Sequence, residues 1–146
     1  MSEKYSMKTW SIKEVSEPGA DLLDLEHFIP PQEVDLTVYQ GATFKATYSF
    51  FKTDELKPYN ILGWSGRMQI RKKKKDTDIL IELTTENGGI SFSLTETATK
   101  YTIYMTPEQT AALSAGGVYD IELIDFENNV LRIQQGSITL STEVTR

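Results

Sequence analysis

The chain is predicted to fold as an all-β, antiparallel, immunoglobulin-like β-sandwich with one short helix and an extended N-terminal arm. Three observations predict it. From Val34 onward the apolar residues recur with a period of two, the signature of strands with one buried face. Turn chemistry separates the runs at Asn87-Gly88-Gly89, Ala115-Gly116-Gly117, Glu127-Asn128-Asn129 and Gln135-Gly136. No helical pattern alternates with the strands, which points away from a parallel α/β sheet and toward a sandwich or barrel.

In chain order, residues 1–33 read as an extended acidic arm and residues 34–146 as the sandwich domain. The arm holds Pro18-Gly19, the acidic segment Asp21-Leu-Leu-Asp-Leu-Glu26, and Ile29-Pro30-Pro31-Gln32. A double proline has no place inside a sheet and suits a polyproline-like passage. Leu22, Leu23, Leu25, Phe28 and Ile29 are too few and too interrupted to form a core of their own, so they are the candidate anchors of the arm against a partner.

The strands follow. Phe44, Ala46, Tyr48 and Phe50 alternate with Thr43, Lys45, Thr47 and Ser49. Met68 and Ile70 face one way while Arg67, Gln69 and Arg71 face the other, and Ile79, Ile81 and Leu83 share a face after the intervening loop. The same period runs through Ile90–Leu94, Tyr101–Met105, Tyr119–Leu123 and Ile138–Val144, all rich in the β-branched and aromatic residues that strands favour. One segment differs. Thr106-Pro107-Glu108-Gln109 offers a threonine N-cap, proline at the first helical position and glutamine at the third, which predicts a short helix over about residues 107–114. Placed between two strands, it would plug one open end of the sandwich.

Charge is distributed unevenly. The chain carries a formal net charge of −6, and residues 1–35 hold eight acidic side chains against three lysines. The concentrated positive charge is Arg71, Lys72, Lys73, Lys74 and Lys75. The acidic total works against phosphate-backbone binding, and no aromatic residues are interleaved among these lysines for base stacking, so no nucleic-acid partner is expected. Between two strands, Lys72–Asp78 reads as a hairpin tip, and clustered charge there makes it a candidate docking patch for an acidic protein surface.

Chemistry is mostly excluded by composition. The chain has no cysteine, which removes disulfides, zinc–thiolate sites and a thiol nucleophile. Its single histidine, His27, lies in the arm beside Glu26 and Phe28, where packing or solvent is the ordinary role. Asp76-Thr77-Asp78 and Asp125-Phe126-Glu127-Asn128 lack the ligand spacing and glycine of a calcium loop. Asp120 and Glu122 sit on the polar face of their strand. Trp10, Trp64, Tyr101, Tyr104 and Tyr119 could stack on sugars, although aromatics at alternating strand positions ordinarily fill a core. No enzyme, no cofactor and no metal are expected. The N-terminal MSEKYSMKTW lacks an apolar h-region and no stretch is long and apolar enough for a membrane span, so no membrane partner is expected either.

Three pieces of sequence carry a family resemblance: Val34–Phe44 with its QGATF, Asn60–Arg71 with its LxGWxxRMQIR, and the ending through Val118–Leu123, Leu131–Gly136 and Glu143–Arg146. In this order and spacing the chain resembles the small β-sandwich virion proteins of tailed bacteriophages and is similar to the N-terminal domain of the baseplate upper protein family. The resemblance covers about Asp35–Arg146. It implies a non-enzymatic adaptor or joining protein of a tail, baseplate or neck. It would be assembled in the host cytoplasm into the virion, would contact other virion proteins, and would form homo-oligomers in the assembly. The sequence differs from baseplate upper proteins in ending at Arg146 and in carrying the acidic arm, which favours a joining role over receptor binding. The alternative is a carbohydrate-binding sandwich at a tail tip, or a capsid-decoration protein.

Overall fold

The computed structural model of the chain describes residues 31–50, 61–95 and 99–145. Among them, nine strands and one helix follow in the order β1 (Gln32–Glu33), β2 (Leu36–Tyr39), β3 (Phe44–Phe50), β4 (Ser65–Arg71), β5 (Ile81–Thr84), β6 (Ile90–Leu94), β7 (Thr99–Met105), α1 (Pro107–Ala111), β8 (Gly117–Ile124) and β9 (Val130–Ser141). The larger sheet runs β9-β8-β4-β5, with β1 and β2 both on the outer side of β9, and the smaller sheet runs β3-β7-β6. This is the immunoglobulin-like arrangement of two facing sheets.

The alternation of the sequence sets the burial. Met68 and Ile70 of β4, Ile81 and Leu83 of β5, Tyr119, Ile121 and Leu123 of β8, and Tyr101, Ile103 and Met105 of β7 all point into one core. Trp64 closes it from just before β4. The helix joins the two sheets. Thr106 accepts from the Gln109 amide at 3.1 Å and the Gln109 side chain accepts from the Thr106 amide at 2.8 Å, a reciprocal capping box. It ends at Ala111, earlier than the sequence predicts. Leu113 then enters the core, and Thr110 donates to the Ala42 carbonyl at 2.8 Å, which ties the end of the sandwich to the turn between β2 and β3.

Five further expectations are corrected. The sheet is not antiparallel throughout, because β1 and β2 pair parallel with β9. It therefore takes in Gln32 and Glu33, which the sequence assigned to the arm. The predicted turn at Gln135-Gly136 is the middle of a twelve-residue strand. That strand stops at Ser141, leaving Val144 exposed rather than paired. Ile79 and Leu94, placed inward by parity, are exposed, because Ile79 precedes β5 and Leu94 ends β6.

The length of β9 conceals an irregularity. Ile121 pairs with Gln134 and the next residue, Glu122, pairs with Arg132, so Ile133 is an extra residue, a β-bulge. The bulge makes Ile133 and Gln134 both face inward, and Gln134 is fully buried. Its side chain is satisfied there. Tyr101 donates to Gln134 Oε1 at 2.7 Å, Gln134 Nε2 donates to the Tyr119 hydroxyl at 2.9 Å, and Tyr119 donates to the Val34 carbonyl at 2.5 Å. One chain of hydrogen bonds thus crosses from the smaller sheet, through the core, to the edge where β1 gives way to β2. Two residues further along β9, Gly136 lies under the same place. A Cβ there would come within 2.2 Å of the Val34 carbonyl oxygen, so only glycine lets β1 pass this close.

Two measurements follow from this arrangement. Gly136→Ala forces the Val34 backbone outward and is expected to cost about 1–3 kcal/mol in urea denaturation. Amide exchange at Val34, whose N–H donates to Gln135 at 2.9 Å, should rise most. Burial also holds the Tyr101, Tyr119 and Tyr48 hydroxyls in their protonated form, with pKa values raised above the ordinary one. The unfolded chain therefore loses these protons first as pH rises. Their contribution is complete below pH of about 10 and is lost above it. Stability should fall on alkaline titration, less steeply in Tyr101→Phe; an unchanged slope would place this proton elsewhere.

Candidate functional site

Solvent meets the larger sheet on its far side, where each strand contributes its polar parity. Cross-strand register assembles these residues into rungs. Arg132, Glu122, Arg67 and Thr84 lie side by side on β9, β8, β4 and β5. Glu33, Gln135, Asp120, Gln69 and Glu82 form the next rung, which extends onto β1. Ser137, Val118 and Arg71 form the third. Opposite charges directly across strands stabilise a sheet modestly, by about 0.2–1 kcal/mol each.

The rungs are bonded along and between themselves. Arg67 Nε reaches Glu122 Oε1 at 2.7 Å, and Arg132 Nε reaches Asp120 at 3.5 Å. Gln69 donates to Glu82 at 2.7 Å while its own oxygen accepts from Arg71 Nη2 at 2.8 Å. Gln135 donates to Glu33 at 2.5 Å. At the break between β1 and β2, the Asp35 carboxylate accepts the Ser137 amide at 3.0 Å. Between these side chains lies a groove of about 460 Å³, lined among others by Glu33 and Asp35 at the β1 edge and by Arg71 and Lys74 toward the β4–β5 hairpin. Between these two ends stand Arg132 on β9 and Asp120 on β8, so acidic and basic side chains alternate across the groove. Such a surface suits a partner of mixed charge rather than a polyanion.

The two aspartates respond oppositely to this setting. The Ser137 backbone and side chain hydrogen bonds hold Asp35 below the usual carboxylate value. Partial burial raises Asp120, against the pull of Arg132, while Glu122 adds to the rise.

The lysine tip is where the sequence predicts it, in the loop joining β4 to β5, but its members divide. Arg71 is half-buried and committed, its Nη1 donating to the Asp76 carbonyl at 2.6 Å to close the loop. Lys72, Lys73, Lys74 and Lys75 are exposed, and no ion pair engages them among the described residues. Beside them, Ile79 and Leu80 are also exposed, 42% and 41%. The arm anchors Leu22, Leu23, Leu25, Phe28 and Ile29, together with His27 and Trp10, lie outside the described residues. The rung residues Arg67, Arg132, Gln135 and Glu33 escaped sequence reasoning. Their polar parity is visible strand by strand, but which strands adjoin is not.

Other candidates resolve into structure. Trp64, Tyr101 and Tyr119 are buried, so they present no ring face to a sugar; Tyr104 alone of the described group is exposed. Asp125 is buried and fully engaged: Oδ1 accepts the Glu127 and Asn129 amides at 2.8 Å each and Oδ2 accepts Asn129 Nδ2 at 3.0 Å. It builds the β8–β9 turn, with Asn128 at φ 65°. Among the described residues, no group of three or more acidic or histidine side chains could hold a metal ion, and no helix is long and apolar enough to cross a membrane. Comparison of the chain with protein-family models and with curated proteins found no match.

Followed by NMR, Asp120 should titrate above its ordinary value and Asp35 below it. The sign for stability is opposite in the two. The contribution of Asp35 is present at neutral pH and is lost only as pH falls through its lowered value. The Asp120 contribution is complete below its unfolded value and declines as pH rises through its raised one. Asp120→Asn should therefore leave stability at pH 7 unchanged or slightly increased; a marked loss there would mean the carboxylate is net favourable where it sits.

Proposed function

We propose that the protein is a non-enzymatic structural adaptor of a tailed-phage virion, a joining part of tail, baseplate or neck that docks through its sandwich and the segment preceding it. The single observation that carries this reading is the laddered polar face of the larger sheet, which ends in a groove at the edge where the chain enters the domain. Both faces of that sheet are organised, one for the core and one by several groups of cross-strand side-chain bonds, and no described residue covers the outer one. A charged face whose side chains are already bonded in place is suited to register with another protein surface, since less conformational entropy remains to be lost on docking.

The residues behind the phage-protein resemblance hold the domain in shape. Gln40 donates to the Leu113 carbonyl at 2.8 Å and accepts the Glu143 amide at 3.0 Å, tying three distant segments together. Gly41 adopts φ +83° in the turn that follows. Trp64 is core, and Arg67, Gln69 and Arg71 build the face itself. A pattern that specifies the sandwich and its outer surface together supports an assembly role, in which the face is as constrained as the core. The other virion proteins would be its partners, and assembly in the host cytoplasm would precede incorporation into the particle.

The test is removal of residues 2–30, which leaves β1 and every described strand intact. The truncated chain should keep its β-sheet circular dichroism and its cooperative unfolding, yet fail to join the oligomer or partner complex that the full chain forms, as read by size-exclusion chromatography with light scattering. Assembly undiminished by the truncation would refute the role of this segment.

A further inference from the structure

Resting on the assembly role above, and naming the partner surface for it, we propose that the hairpin tip of one copy, Lys72–Lys75 with Ile79 and Leu80, receives the acidic segment Asp21–Glu26 of a second copy. Three observations converge. The first is chemical match. The tip presents four exposed ammonium groups with no ion-pair partner among the described residues, beside two aliphatic side chains left half-exposed. Asp21-Leu-Leu-Asp-Leu-Glu26 offers three carboxylates interleaved with three leucines, and residues 14–26 contain five acidic residues and no basic one. Charge alone would fit many acidic surfaces, but lysine next to exposed isoleucine and leucine fits one that is both acidic and leucine-rich.

The second is direction. Because β1 and β2 run parallel to β9, and β4 runs the same way through its antiparallel pairing with β8, all four strands point toward the same pole of the sandwich. The lysine tip follows the end of β4 and so crowns that pole. β1 runs toward that pole as well, so Gln32 is the end of β1 farther from the tip. A segment of one copy seated on the tip of the next joins two different surfaces, which is a head-to-tail arrangement. Repeated, it gives a ring if the rotation closes and a filament if it does not.

The third is reach. Thirty-one residues precede Gln32. The five residues between Glu26 and Gln32 span at most about 20 Å when extended. That length lets the segment lie clear of its own β1 edge.

The experiment uses the full-length chain and charge reversal in two places: Lys72, Lys73, Lys74 and Lys75→Glu for the tip, and Asp21, Asp24 and Glu26→Lys for the segment. Light scattering should show wild-type oligomers that dissociate as salt is raised from about 0.05 M to about 0.5 M. Each reversed variant alone should be monomeric, with self-association weakened by about tenfold or more. Mixed in equal amounts they should reassemble, because each then offers the other a complementary tip and segment. Circular dichroism checks that both are folded, and Ile79→Ser with Leu80→Ser should weaken assembly without altering charge. Three outcomes would overturn the proposal. In the first, the tip-reversed variant assembles like wild type. If deletion of residues 2–30 still abolishes assembly, the adaptor role stands and the tip is the wrong surface. In the second, the mixture stays monomeric although wild type assembles. In the third, wild type is a monomer in which Asp21–Glu26 becomes protease-sensitive only when the tip is reversed, so that the segment docks on its own domain.

Discussion

The structure depends on one extra residue. The bulge at Ile133 turns Gln134 into a core that would otherwise be wholly apolar at that level, and a buried amide is tolerable only if its donor and acceptor are both used. Tyr101 supplies the donor and Tyr119 the acceptor, and Tyr119 passes the bond on to Val34. Removing any member would strand a buried polar group, at about 1–3 kcal/mol, as much as or more than the ~0.5–1.5 kcal/mol net that each intact bond contributes. The network's value therefore lies in specifying one arrangement: the two sheets and the entering strand are correct together or not at all. In a chain without cysteine, this polar link does the work of a covalent cross-link between the sheets, by excluding alternatives rather than by adding strength.

The same bulge arranges the outer face. A shift of one residue inverts the parity of everything that follows it in a strand. Before the bulge Arg132 faces outward to meet Glu122; after it Gln135 and Ser137 face outward to meet Asp120 and Val118. Without the insertion, Gln135 would turn inward and the second rung would lose its connection to Glu33. Core and surface are thus set by a single register decision, and the groove at the β1 edge exists because β9 carries two phases.

This also decides what the sequence could reveal. Local alternation was legible in every strand where the parity is unbroken, so the buried residues of β4, β7 and β8 and the capped helix could be read directly. The bulge could not, because two consecutive inward residues followed by Gln135-Gly136 resemble the end of a strand and a turn. Gly136 is there for a different reason, the passage of Val34 above it, and long-range crossings leave no local signal. Parallel pairing of β1 and β2 was hidden likewise, since nothing in Gln32–Tyr39 states the direction of its neighbour. The lysine run reads as a hairpin tip, and β4 and β5 do pair antiparallel on either side of it, yet the commitment of Arg71 to the Asp76 carbonyl separates it from the lysines that follow.

That separation bears on how the tip would hold a partner. Exposed ion pairs contribute about 0–1 kcal/mol each, and long lysine side chains lose rotamer entropy when fixed, so the four ammonium groups by themselves would steer an acidic segment more than retain it. Retention must come from apolar burial. Ile79 and Leu80 are each less than half exposed, and covering what remains of an aliphatic side chain is worth roughly 25 cal/mol per Å². The two effects are comparable in size and separable in kind, because only the first is screened by salt. A contact of this type forms quickly, releases readily, and becomes durable only when repeated around a closed ring, where each copy is held twice, through its tip and through its segment, and a single broken contact reseals before its neighbours open.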